Sequence, residues 1–183
     1  KTEEYRVAMT PVGVRELVGH GHRVVVETGA GLGSSITDAD YAAVGAEILP
    51  DAAAVFETAG MIVKVKEPQP VEIGMLGKHH LLFTYLHLAA YPKEAKGLID
   101  SGATAIAYET VQLTNGSLPL LAPMSEVAGR MAVQAGAHFL ERPRGGRGVL
   151  LGGVPGVKPG RVTVLGAGIA GRNAAMIAAG MGA

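Results

Sequence analysis

Cysteine and tryptophan are absent from this sequence, aromatic residues make up only 4% of it, and acidic and basic side chains cancel at 16 each. Each shortage removes a class of function. Without cysteine there is no disulfide framework, no thiolate metal site and no cysteine nucleophile. A formal net charge of zero, no basic run and so few rings leave neither the electrostatic footprint nor the stacking platform that nucleic-acid binding needs. Long apolar runs are missing too, for none reaches the ~20 residues of a membrane-spanning helix. Lys1-Thr2-Glu3-Glu4 carries no signal-peptide core, so the cytoplasm is the expected compartment. What is present is a chain of 183 residues, 48% hydrophobic, able to bury a sizeable core in one or two domains.

The most informative stretch is Val162-Thr163-Val164-Leu165-Gly166-Ala167-Gly168-Ile169-Ala170-Gly171, an apolar β-branched run feeding G-x-G-x-x-G and then an alanine-rich segment. The run reads as a buried parallel strand and Asn173 to Met181 as a small-residue helix. Each glycine then has a role in a dinucleotide-binding turn. Gly166 permits the turn out of the strand, Gly168 lets a pyrophosphate approach the backbone, and Gly171 lets helix and strand pack closely. The phosphates would rest on unpaired N–H groups at the helix N-terminus. The acidic residue that grips the ribose normally ends the following strand, about 20 residues after the glycines. The chain stops 12 residues past Gly171, so it reads as a fragment of a larger protein.

In chain order, Pro11 to Gly21 reads as a helix with a glycine stop and Arg23 to Glu27 as a strand. Gly29-Ala-Gly31-Leu-Gly33 has the wrong spacing for a phosphate turn and is taken as a loop, followed by the capping-box-like Thr37-Asp38-Ala39-Asp40. Strands are expected at Glu47 to Leu49, Met61 to Lys66, Leu81 to Leu86 and Thr104 to Tyr108. Asp51 caps a short helix, and Lys93 to Ser101 forms another. This alternation predicts an α/β fold, with a mostly parallel sheet and helices on both faces. A hairpin is expected over Val111 to Leu121, with Asn115-Gly116 as a type I′ turn. Pro123 to Arg142 reads as one long bridging helix with Val127, Met131, Ala135 and Phe139 at a spacing of four. Arg144 to Gly160 holds seven glycines and two prolines and is expected to be irregular. The boundary is placed near Leu120, giving a Rossmann-like substrate domain over 1–120. Residues 121–183 then hold the bridging helix, the crossover and the first strand-turn-helix of a Rossmann nucleotide domain.

Two polar residues fall where strand endings would put them. Lys66 closes Met-Ile-Val-Lys-Val-Lys before Glu67-Pro68, and His87 follows Leu-Leu-Phe-Thr-Tyr-Leu. Ligands of open parallel sheets bind outside the carboxyl ends of the strands, so this lysine and histidine can meet at one small molecule. Lysine would polarise a carbonyl or carboxylate oxygen, and histidine suits proton transfer. A solvated lysine and a hydrogen-bonded edge histidine are the plain structural alternative. Lys64, on the same face but deeper, is a rival candidate. Arg6 could pair bidentately with a carboxylate or simply answer Glu3 or Glu4. The remaining histidines lack metal-ligand spacing, and no G-x-S-x-G supports hydrolase chemistry.

Six blocks taken together resemble the L-alanine dehydrogenase family: Tyr5 to Pro11, Lys64 to Pro68, Phe83 to Ala90, Ala107 to Val111, Pro123 to Arg130 and Gly145 to Gly156. The resemblance runs in order over essentially the whole chain. It implies a homo-oligomeric enzyme, commonly hexameric, that uses NAD to deaminate L-alanine oxidatively to pyruvate and ammonium. By motif position it implies that Arg6 and Lys66 hold the pyruvate carboxylate and carbonyl, with Tyr85 as a further substrate contact and His87 as the acid/base. It also implies that Ser125 contacts the cofactor phosphates, with Gly166, Gly168, Ile169, Ala170 and Gly171 forming the pyrophosphate turn. The family's catalytic aspartate would lie beyond Ala183. The competing resemblance is to the NAD(H)-binding domain of a proton-translocating transhydrogenase. A module that only passes hydride between nucleotides needs no amino-acid pocket, so Thr84-Tyr85-Leu86-His87 favours the dehydrogenase.

Overall fold

The computed structural model describes residues 3–183, which fall into a unit ending at Val111 and a second unit, Gln112–Ala183. In the first unit, α1 (Pro11–Gly19) begins on the proline that suits a first helical turn, and its end is closed by Gly21 at positive φ. Strands β1 (Val25–Glu27) and β2 (Glu47–Leu49) pair in parallel, Val26 opposite Ile48. Between them, Thr37 and Asp40 form a reciprocal capping box at α2 (Asp38–Ala42). The glycine loop before α2 is filled by its own chain. Asp38 accepts from Thr28 Oγ1 at 2.6 Å and from the Gly29 N–H at 2.8 Å, and a Cβ at Gly31 would lie 2.5 Å from the Ile36 carbonyl oxygen. Val14, Tyr41 and Ala46 are the buried centre of this half.

Asp51 caps α3 (Ala52–Thr58) through the Ala54 N–H, and the chain then enters a second sheet. Here β3 (Met61–Val63), β4 (Leu81–Thr84) and β5 (Thr104–Ala107) run parallel in the order β3-β4-β5. Helices α4 (Pro70–Ile73) and α5 (Pro92–Ser101) make the crossovers, as parallel strands require. Phe56, Ile62, Leu76, Leu82, Leu86 and Leu98 form the core beneath. His80 is buried in it with both ring nitrogens satisfied, Nδ1 by the Gly77 N–H and Nε2 by the Phe56 carbonyl. The expected α/β alternation is therefore present, with the parallel strands divided between two small sheets. No helix among the described residues is long and apolar enough to cross a membrane.

The second unit departs from expectation in three places. Residues 111–121 form no strand pair. Gly116 N–H bonds the Leu113 carbonyl and Leu113 N–H bonds Ser117, and only Gly116 of the Asn-Gly pair has positive φ, so the type I′ hairpin is replaced by a bulged turn. The long helix is present as α6 (Ala122–Phe139), but Val127, Met131 and Phe139 are exposed on it. Its packed stripe is instead Gly129, Val133 and Ala137, against α7 (Ile169–Gly180). Close approach decides which face wins: a Cβ at Gly129 would overlap the Ala170 carbonyl oxygen, so two backbones meet where side chains are smallest. Asn173 fixes the same contact, accepting from Arg130 Nε and donating to the Ile169 carbonyl, both at 3.0 Å. Finally, Val162 to Leu165 runs into the glycine turn without a ladder partner among the described residues, and Leu165 is 93% exposed. A strand needs a neighbour, and the apolar run has none here.

Gly129→Ala should therefore cost about 1–3 kcal/mol through overpacking. Gly136→Ala, on the same helix with open space around it, should gain up to about 1 kcal/mol from helix propensity. Urea unfolding of the two variants checks the contrast, and equal midpoints would contradict it.

Candidate active site

Parallel pairing brings three strand ends to one edge. Lys66 lies three residues beyond Val63, the end of β3; His87 lies three beyond Thr84, the end of β4; Glu109 lies two beyond Ala107, the end of β5. The strands continue to exchange single hydrogen bonds past their regular ends, Lys64 N–H to Phe83 and Tyr85 N–H to Val65, both at 3.2 Å. The fully buried Thr84 hydroxyl donates to the Lys66 carbonyl at 2.7 Å, which ties the two strand ends together.

At His87 the chain turns into the left-handed region, φ +49°, a conformation that costs a non-glycine residue energy. The Glu109 carboxylate holds it there. It accepts the Leu86 N–H at 3.1 Å and the His87 N–H at 2.8 Å, while the Leu86 side chain is anchored in the core. The imidazole is then flanked on two sides. Its Nδ1 lies 3.2 Å from Oε2 of Glu67, whose side chain is only 3% exposed, and its ring stacks on Tyr85 at a centroid distance of 5.9 Å. Tyr85 in turn meets Tyr108 edge-on at 5.0 Å, and Tyr108 meets Phe83 at 4.4 Å. Burial pushes the Tyr108 hydroxyl up to about 12, and raises that of Tyr85 as well, so both are neutral hydrogen-bonding groups at physiological pH.

Arg6 is paired with Glu4, Nε to Oε1 and a terminal nitrogen to Oε2, both at 2.7 Å. That fork holds the Glu4 carboxyl at about 2, with the charge of Lys66 adding to the effect, so Glu4 stays ionised at every pH above that range. Arg6, Lys66 and Glu4 line one cavity of about 610 Å³, whose other walls come from β1, β3 and α3; His87 and Tyr85 are not among its lining residues. Arg6 nevertheless lies close enough to Tyr85 to favour its ionised form. The rival candidate Lys64 is engaged elsewhere, in a partly buried ion pair with Glu72, which also accepts the Gln69 N–H at the start of α4. Lys64 thus braces the loop that carries Lys66 and Glu67. Neither Glu67 nor Glu109 stands out in the sequence as a site residue. The available signals were the adjacency of Glu67 to Lys66 and the position of Glu109 at the next strand end.

In the second unit each of the three fingerprint glycines stands in a distinct setting. Gly166 has φ +99°, Gly168 is the cap residue of α7 with open space where its Cβ would stand, and a Cβ on Gly171 would overlap the Gly166 carbonyl oxygen. Ile169 and Ala170 open α7, while Ser125 lies in the first turn of α6 with its N–H on the Leu121 carbonyl. Among the described residues no cluster of histidine, aspartate and glutamate is placed to hold a metal ion.

Two family models match the chain: the alanine dehydrogenase/PNT N-terminal domain over residues 1–128 and the corresponding C-terminal domain over 132–183. Over all 183 residues the chain is 60% identical to an alanine dehydrogenase of Halomonas elongata and 58% identical to those of Mycobacterium tuberculosis and Bacillus subtilis. It covers 49%, 49% and 48% of their lengths and so spans about half of the curated relatives it matches. A solved L-alanine dehydrogenase superposes over the whole chain and 50% of its own, with a TM-score of 0.94 at 56% identity. A transhydrogenase from Sinorhizobium meliloti superposes over the whole chain and 55% of its own, with a TM-score of 0.83 at 29% identity.

The clamp on His87 leads to a stability prediction. Glu109→Ala removes the acceptor of two N–H groups and should cost about 1–3 kcal/mol, whereas Glu109→Gln, which keeps one acceptor oxygen, should cost less. Denaturant midpoints of the two variants measure this, and an unchanged Glu109→Ala midpoint would mean that water replaces the carboxylate without cost.

Proposed function

The chain belongs to the alanine dehydrogenase/PNT family, and from that premise we propose that the whole protein oxidises L-alanine, with NAD and water, to pyruvate and ammonium, forming NADH and releasing a proton. Residues 1–120 serve the amino acid in this reading, and residues 121–183 begin the nucleotide domain. The observation that carries it is the placement of Lys66, His87 and Glu109 just beyond the carboxyl ends of three adjacent parallel strands, with Glu109 bonded to the His87 backbone. A cation and a proton-transferring ring on a rigid edge suit a small amino or keto acid.

NAD fits the glycine turn because the space beside Gly168 admits a pyrophosphate and the α7 N-terminus offers its N–H groups, with Ser125 as a further phosphate contact. When bound, it accepts the hydride from the alanine Cα. The remaining work falls to the side chains. Arg6, oriented by Glu4 through Nε and one terminal nitrogen, meets the substrate carboxylate with its other guanidinium edge together with Lys66. Lys66 also stabilises the oxygen that develops as water adds to the iminium carbon and pyruvate forms. His87 accepts the proton of the attacking water at Nε2 and returns one as ammonia leaves, so the ring ends each cycle in its starting state. Tyr85, stacked on His87, is a further substrate contact in this reading. The hydride-module alternative lacks a use for this arrangement.

Lys66→Ala should lower kcat/KM for both alanine and pyruvate by about 10³-fold while NADH affinity, followed by fluorescence, stays the same. A variant that keeps its turnover would remove Lys66 from the mechanism. A wild-type full-length protein that fails to reduce NAD with alanine would remove the proposal itself.

A further inference from the structure

Glu67 has no part in substrate binding as derived above, yet it is among the most buried charged residues of the chain, 2% exposed, on a loop that lies against the strand ends. Its position is fixed from several directions. Pro68 beside it is fully buried, its own carbonyl accepts the Gln69 side-chain amide at 3.1 Å, and the preceding Lys66 carbonyl is held by Thr84. Burying a carboxylate costs several kcal/mol in lost hydration unless it is hydrogen-bonded. One of its oxygens lies 3.2 Å from Nδ1 of His87. The backbone of that same histidine is held in a left-handed turn by Glu109. Two carboxylates therefore act on one residue, Glu109 on its main chain and Glu67 on its ring.

We propose that Glu67 is the positioning residue for His87: it accepts the Nδ1–H, fixes the imidazole in the tautomer whose Nε2 carries the lone pair, and stabilises the imidazolium formed when Nε2 takes the proton of the attacking water. The proton stays on the imidazole; Glu67 remains a carboxylate throughout and touches no substrate. Among the described residues Nε2 has no hydrogen-bond partner, so the nitrogen left for chemistry is the one opposite Glu67. This orienter-to-base geometry recurs wherever an imidazole must keep one nitrogen for reaction, whether toward a metal or toward a nucleophile. The inference rests on the reading of His87 as the acid/base group and adds the residue through which that group is set.

The experiment is a double-mutant cycle in the full-length protein: wild type, E67Q, H87A and E67Q/H87A, assayed with alanine plus NAD and with pyruvate plus ammonium plus NADH. E67Q should lower kcat by about 10–100-fold, leave KM for pyruvate within about threefold, and leave NADH binding unchanged, because only the proton-transferring ring is disturbed. The double variant should be no slower than H87A alone, since Glu67 acts only through the imidazole. E67D, which keeps the charge on a shorter arm, should recover part of kcat, and it carries the cycle if E67Q does not fold. Losses that multiply in the double variant, or an E67Q enzyme with wild-type kcat beside a slow H87A, overturn the proposal and leave the role of His87 standing. An H87A enzyme with wild-type kcat overturns the role of His87, and the proposal with it.

Discussion

The Glu109 carboxylate, accepting two successive backbone N–H groups from Leu86 and His87, is the contact on which the site depends. A non-glycine residue at φ +49° is strained, and without this contact a chain leaving β4 would relax to the ordinary extended or helical regions. With it, the backbone turns sharply at the strand end and His87 is presented at the edge rather than continuing the sheet. The acceptor comes from the neighbouring strand in the same ladder, so the strain at His87 is opposed by the parallel pairing of β4 with β5. Backbone strain held in this way, by an over-determined surrounding, is a recurrent feature of functional sites.

The rest of the first unit makes that edge rigid. Leu86 enters the core one residue before the turn, Thr84 ties β4 to the Lys66 carbonyl, and the Lys64–Glu72 pair braces the loop from the other side. The ring of Tyr85 rests on Tyr108, and Tyr108 on Phe83, so the imidazole packs at the end of an aromatic series instead of against solvent alone. The second unit solves a different problem by the same means of close approach. Gly129 against Ala170, and Gly171 against Gly166, bring backbones together where any side chain would collide. The consequence is a helix N-terminus whose cap residue, Gly168, faces open space.

Much of this was legible in the residues. Alternating apolar runs and caps mark the order of strands and helices through the first unit, because Pro11, Thr37 and Asp51 act locally, within a turn of where they stand. The glycine fingerprint was legible for the same reason. What the sequence misled on was settled by contacts distant in the chain. Spacing alone favoured the Val127-Met131-Phe139 stripe, yet the smaller Gly129-Val133-Ala137 stripe packs because it fits α7 more closely. Asn115-Gly116 promised a hairpin, but a turn signal makes strands only where the flanking residues find partners. Strand-end positions mark Lys66 and His87, whereas nothing local marks Glu67 and Glu109, since a carboxylate that bonds a ring or a backbone amide 20 or more residues away leaves no local pattern. The residues alone leave Arg6 between a ligand role and a pairing with Glu3 or Glu4; the structure shows the Glu4 pair, which orients the guanidinium.

The proposed function puts a small keto acid between a lysine and an imidazole at one edge of one parallel sheet. A crystal structure of the full-length protein with pyruvate and NADH tests it most directly. The pyruvate carbonyl oxygen should lie within hydrogen-bonding distance, about 2.6–3.2 Å, of the Lys66 Nζ, with the His87 Nε2 facing the carbonyl carbon, Glu67 still on Nδ1 and the carboxylate toward Arg6. Pyruvate bound away from this edge, or met by Lys66 while the His87 ring faces elsewhere, would contradict it.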